Sequence, residues 1–114
     1  MEERDRERLA EMLRYAEMAV RILGGLDADG LSASEEKFLA TARCLQNIGE
    51  AARKVSDTTR SDLPAIPWRR VIGMRHRLVH GYEDIRVEII VQTIREDLPE
   101  LISTIRSALR DNAS

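Results

Sequence analysis

The apolar positions fall into four helical stripes. Leu9, Met12, Leu13, Ala16, Ala19, Val20 and Leu23 follow the i, i+3, i+4, i+7 spacing of one helix face. That pattern predicts an amphipathic helix over about residues 4–23. Gly24-Gly25 stops it, because glycine enters the left-handed cap conformation freely. A connection through Asp27, Asp29 and Gly30 follows. Ser32 with Glu35 three positions later reads as a capping box, so a second helix is expected from near residue 33. Its stripe is Phe38, Thr41, Ala42, Leu45, Ile48, Gly49, Ala52 and Val55. Small residues in that stripe admit a closely packed neighbour.

Residues 57–66 carry Asp57, Thr58, Thr59, Ser61, Asp62 and Pro64, which is turn chemistry, and predict a loop. Pro67 suits the first turn of a third helix, which runs to about His80 and ends at Gly81. A last helical region begins near Arg86. Val87, Val91, Ile94, Leu98, Leu101, Ile105 and Ala108 form a seam with steps of four and three. Pro99 predicts a kink near Glu96 to Leu98. The sum is an all-α, antiparallel bundle of four to five helices in a single domain over residues 1–114.

Composition narrows the class. Aromatics are 4% and apolar residues 43%, a balance that suits helices better than a β-sandwich. The net charge of −2 does not announce a nucleic-acid binder. Its distribution does more, since Arg69, Arg70, Arg75, Arg77 and Arg86 face only Glu83 and Asp84 over the same stretch. One cysteine, Cys44, cannot form an internal disulfide and fits a reducing compartment. Met1 to Arg6 has no apolar signal core, and no run approaches the roughly 20 apolar residues needed to cross a bilayer. A cytoplasmic protein with no membrane partner is expected.

The third helix carries the candidate chemistry. On an ideal wheel, Trp68, Val71, Ile72, Leu78 and Val79 lie within about 60° of Arg75. An arginine at the centre of an apolar stripe needs a partner for its charge. It is paired in the core, with Glu50 one candidate, or snorkels along its stem to solvent, or opens to an anion at a cleft or subunit interface. His76 and His80 fall on a polar flank beside Arg69. Their i, i+4 spacing could share a metal, but no third ligand is marked nearby.

Arg75, four residues, His80, one residue and Tyr82 resemble the signature of the HEPN superfamily, in its HepT-like toxin branch. The segment DLPAIPWRRVIGMRHRLVHGYEDI around that motif resembles the equivalent HepT-like segment, as do NIGEAARKVS and TIREDLPEL. The resemblance covers about residues 8–110. It implies a HEPN-like helical bundle that forms a homodimer with the motif helices at the interface. It implies a metal-independent endoribonuclease with no cofactor, the toxin of a toxin–antitoxin pair. It implies a cognate minimal nucleotidyltransferase antitoxin that transfers AMP to Tyr82. Arg75 and His80 would be catalytic, with His76, Arg77, Arg69 and Arg70 in RNA-binding or supporting roles. His76 departs from the pattern, because the family often has a small polar residue there.

Histidine suits acid or base work near neutral pH, and arginine suits a phosphate charge. Arg75 and His80 are about 140° apart on a straight helix. Their convergence asks for a second copy of the helix or for unwinding before Gly81. Two other readings remain open from the residues alone. One is a non-catalytic helical module, an accessory subunit of a nucleotidyltransferase. The other is a structural bundle with a histidine-bound metal.

Overall fold

The computed structural model describes the backbone of residues 1–80 and 86–111 and the side chains of 1–74 and 86–111. No strand occurs among the described residues. Four long helices, α1 (Glu3–Leu23), α3 (Glu35–Arg53), α5 (Trp68–His80) and α7 (Leu98–Asp111), are linked by short ones, α2 (Ala28–Ser32), α4 (Asp57–Asp62) and α6 (Val87–Gln92). The all-α bundle is the expected architecture.

In α1 the buried face is Leu9, Met12, Ala16, Ala19 and Leu23, whereas Leu13 and Val20, at the edges of the predicted stripe, are half-buried and exposed, respectively. Gly24 ends the helix at φ 53°, a conformation that strains any residue with a Cβ, and its N–H bonds to the Val20 carbonyl at 3.0 Å. Packing on α1 and α5 makes α3 the central helix. Its buried small residues, Ala42, Gly49, Ala51 and Ala52, keep those neighbours close. Thr41 is fully buried, and its hydroxyl is satisfied within the helix by the carbonyls of Lys37 and Phe38 at 2.8 and 3.0 Å.

The helix directions follow from contacts at the ends. Asp5, at the start of α1, reaches Ser56, just beyond the end of α3. Arg6 donates to the carbonyl of Leu109, near the end of α7, at 3.2 Å. Both neighbours therefore run antiparallel to α1.

Three local expectations change. The cap of α3 is Ser34, whose hydroxyl accepts the Lys37 N–H at 3.3 Å, and not Ser32. Ser32 is used up as the last residue of α2, a single turn initiated when the Asp27 carboxylate accepts the Gly30 N–H at 2.8 Å. Residues 57–62, expected as loop, form α4. Its cap is local, the Ser56 hydroxyl accepting the Thr59 N–H at 3.3 Å, and a residue far away in the chain braces that cap. The Asp5 carboxylate, 3% exposed, accepts the Ser56 N–H at 3.0 Å, the Ser56 hydroxyl at 2.5 Å and the Thr59 hydroxyl at 2.6 Å. An anion at the start of α4 satisfies donors that a loop would leave to water. Arg60 then donates back to the carbonyls of Arg53, the last residue of α3, and of Val55 two residues beyond it.

The last helical region is interrupted as Pro99 requires, and the interruption has a definite form. Thr93–Asp97 is a π-helical turn, and the Leu98 N–H bonds to the Thr93 carbonyl five residues back. Pro99 has no N–H to give and its ring crowds the carbonyl one turn earlier, so the ladder widens just before it. The seam holds at Ile94, Leu98, Leu101, Ile105 and Ala108. Upstream it shifts. Ile90 is the buried residue of α6, while Val87 and Val91 are only half-buried. Ile90, Ile94 and Leu98 stand in steps of four, which suits a turn wider than an α-helix.

No helix among the described residues is long and apolar enough to cross a membrane.

Candidate nucleic-acid interface on α5

The start of α5 is built by the segment before it. Ile66 is buried in the core, and the Trp68 N–H bonds to its carbonyl at 2.9 Å. The Trp68 indole N–H donates to the Leu63 carbonyl at 3.0 Å, folding residues 63–68 into a tight corner. Pro67 lies just before the helix, and its carbonyl takes the Val71 N–H at 3.0 Å. Val71, 2% exposed, is buried in the core, and Trp68, Ile72 and Met74 pack against the core from the same helix.

Helical register then orders the motif. Arg75 falls one turn beyond Val71, on the face that Val71 buries. His76 and His80 fall one and two turns beyond Gly73, on another face. Only the backbone of Arg75, His76, Arg77 and His80 is described, and Tyr82 lies outside the described residues. The Arg75–Glu50 pairing raised from the wheel therefore also falls outside them. Glu50 accepts from Arg53 at 2.8 Å.

Two of the expected supporting residues are fully described. Arg69 and Arg70 border a groove of about 500 Å³ between α5 and the α6–π-turn segment. Gly73 and Met74 line its α5 side, and Ile89, Gln92, Thr93 and Asp97 line the other. Arg70 pairs with Asp97 at 3.0 Å, tying the motif helix to the π-helical turn. Its side chain keeps 65% exposure despite the pair. Arg69 is exposed and makes no ion pair among the described residues.

The sequence reading selected Arg69 and Arg70 and missed Gln92, Thr93 and Asp97. The available signal was the segment TIREDLPEL, which carries Thr93 and Asp97 and drew notice only as a family resemblance. The one thiol is a poor nucleophile: Cys44 is buried, burial pushes its pKa up from the usual value, and the nearby Arg21 offsets this only in part. No cluster of three or more metal-ligating side chains occurs among the described residues.

A family model described as "Ribonuclease HepT-like" matches residues 12–108. The chain belongs to the HepT-like ribonuclease family. The match begins within α1, ends within α7 and contains all of α5 and both sides of the groove. Among the HepT-like relatives, a Methanocaldococcus jannaschii protein named "Putative RNase" is 27% identical over 103 residues, covering 90% of this chain and 89% of its own. A "Putative RNase" of Caldanaerobacter subterraneus is 28% identical over 102 residues, covering 90% and 91%. A "Probable ribonuclease HepT" of Thermococcus cleftensis is 37% identical over 62 residues, covering 54% and 56%. No solved structure matches the chain.

Proposed function

We propose that this chain is a metal-independent endoribonuclease, the toxin of a toxin–antitoxin pair in the cytoplasm, working as a homodimer. The observation that carries the reading is the HepT-like match across residues 12–108 with the Arg75, His80, Tyr82 signature inside it. The placement of Arg75 on the core-facing register of α5 supports it, because a charge there wants an anion or a partner copy.

The chemistry needs no metal. The 2′-hydroxyl of one nucleotide attacks the adjacent phosphorus. His80 of one copy takes the hydroxyl proton, and His80 of the other gives a proton to the departing 5′-oxygen. The bond from 2′-oxygen to phosphorus forms and the bond to the 5′-oxygen breaks. The products are a 2′,3′-cyclic phosphate and a 5′-hydroxyl. Arg75 stabilises the charge that grows on the phosphoryl oxygens. A two-fold axis supplies the second proton handler that one motif lacks. His76, Arg77, Arg69 and Arg70 hold the neighbouring RNA.

The antitoxin is a minimal nucleotidyltransferase. The Tyr82 phenol oxygen attacks the α-phosphorus of ATP and pyrophosphate leaves. The AMP places an anion beside the arginines, where it competes with RNA.

The test is expression with and without that partner, read by growth and by intact mass. Expected are growth arrest without the partner, and rescue together with AMP-sized mass additions that Tyr82→Phe abolishes. Growth unaffected by the toxin alone supports a non-catalytic accessory module instead.

A further inference from the structure

We infer that the groove between α5 and the π-helical turn is a subsite for single-stranded RNA, taking the nucleotides next to the one that is cut. The inference rests on the ribonuclease reading and adds to it a place for the flanking strand.

Gly73 is the starting point. It stands in the interior of α5, where glycine is less stable than alanine. Packing within the described chain does not ask for it. A Cβ built on Gly73 meets no atom of the described residues within 4 Å, and its φ is not in the left-handed region. What the glycine does provide is a bare stretch of helix on the wall of a groove of about 500 Å³. That size falls in the range of roughly 300–1,000 Å³ seen for ligand sites.

The lining matches a nucleic-acid strand. Arg69 and Arg70 supply cationic forks for phosphate. Gln92 and Thr93 supply side-chain donors and acceptors for sugar or base edges, and Ile89 and Met74 supply apolar surface for a base. Asp97 holds Arg70 by one ion pair and leaves it 65% exposed. The wall contains Thr93 and Asp97, the two ends of the π-helical turn, with Gln92 just before it, and such turns recur at functional sites. Gly73 and His80 are seven residues apart, about 10 Å along the helix axis. The groove therefore adjoins the cutting position without coinciding with it.

The test uses the full-length protein and a short 2′-O-methyl RNA, which keeps the phosphates and lacks the attacking hydroxyl. Gly73→Leu fills the groove. Arg69→Glu reverses an exposed charge and decides the matter should the leucine variant fail to fold. Both are expected to bind roughly tenfold more weakly or worse. Arg70→Gln is expected to lower the slope of log affinity against log salt by about 0.7, one phosphate contact. Folded variants that bind as tightly as the parent, while the parent cleaves RNA, overturn the subsite and leave the ribonuclease reading standing. A folded parent that neither binds nor cleaves RNA overturns both. A Gly73→Leu protein whose oligomeric state changes in sedimentation assigns the groove to a contact between copies and overturns the RNA subsite.

Discussion

Asp5 and Thr59 stand 54 positions apart and share a 2.6 Å hydrogen bond, the Thr59 hydroxyl donating to the buried carboxylate. With the two bonds from Ser56, this joins the first turn of α1 to the start of α4. Burial alone would push the Asp5 pKa up. The hydrogen bonds from Ser56 and Thr59 outweigh it and hold the carboxyl below its usual 3.8.

The sign of the pH dependence follows. A depressed folded pKa means that the unfolded chain binds the proton first as pH falls, so stability rises with pH in that window. The contribution of Asp5 is fully present well above 3.8 and is lost as pH drops below that value through the lower folded pKa. Urea midpoints should fall between neutral pH and about pH 3, and the part due to Asp5 should vanish in Asp5→Ala. At neutral pH that substitution should cost about 2–3 kcal/mol, the scale of hydrogen bonds to a charged group. An Asp5→Ala protein as stable as the parent at neutral pH contradicts the assignment.

The register of α6 gives a second test. Ile90 is 1% exposed and Val91 is half-buried. Ile90→Ala should cost about 2–5 kcal/mol, and Val91→Ala clearly less. Equal losses, or the reverse order, would place the seam where the plain spacing put it. Denaturant midpoints of the two variants decide between these.

At Gly73 the unfilled space predicts a gain. Gly73→Ala should stabilise the chain by about 1 kcal/mol, the propensity difference in a helix interior. Melting should rise by about 4 °C for a domain of this size. A destabilised Gly73→Ala protein would show that the position is crowded after all.

The legible and illegible parts of this chain separate by range. The stripe from Leu9 to Leu23, the Gly24 stop and the interruption before Pro99 were legible because each follows from neighbours in sequence. The cap at Ser34 was misread because two serines compete for it, and Asp27 decides the matter by winding Ser32 into α2. The helix at Asp57–Asp62 was harder to read because its cap, Ser56, is local, while the buried carboxylate that holds Ser56 and Thr59 in place arrives from Asp5, at the other end of the chain. The groove was half legible. Arg69 and Arg70 declared themselves by charge. Gln92, Thr93 and Asp97 become neighbours of α5 only when the π-helical turn packs beside it. The catalytic assignment of Arg75 and His80 comes from the family signature and helical register, since elementary spacing sets the two apart by about 140°.

The most direct measurement is cleavage of RNA by the purified, unmodified protein in EDTA, with His80→Ala and Arg75→Ala beside it. The parent should cut RNA and leave 2′,3′-cyclic phosphate ends. Each variant should be slower by roughly 10²–10⁴, the range for losing a proton-transfer group or a charge stabiliser. Cleavage that disappears for the parent in EDTA, or that His80→Ala carries out as fast as the parent, contradicts the metal-independent histidine mechanism.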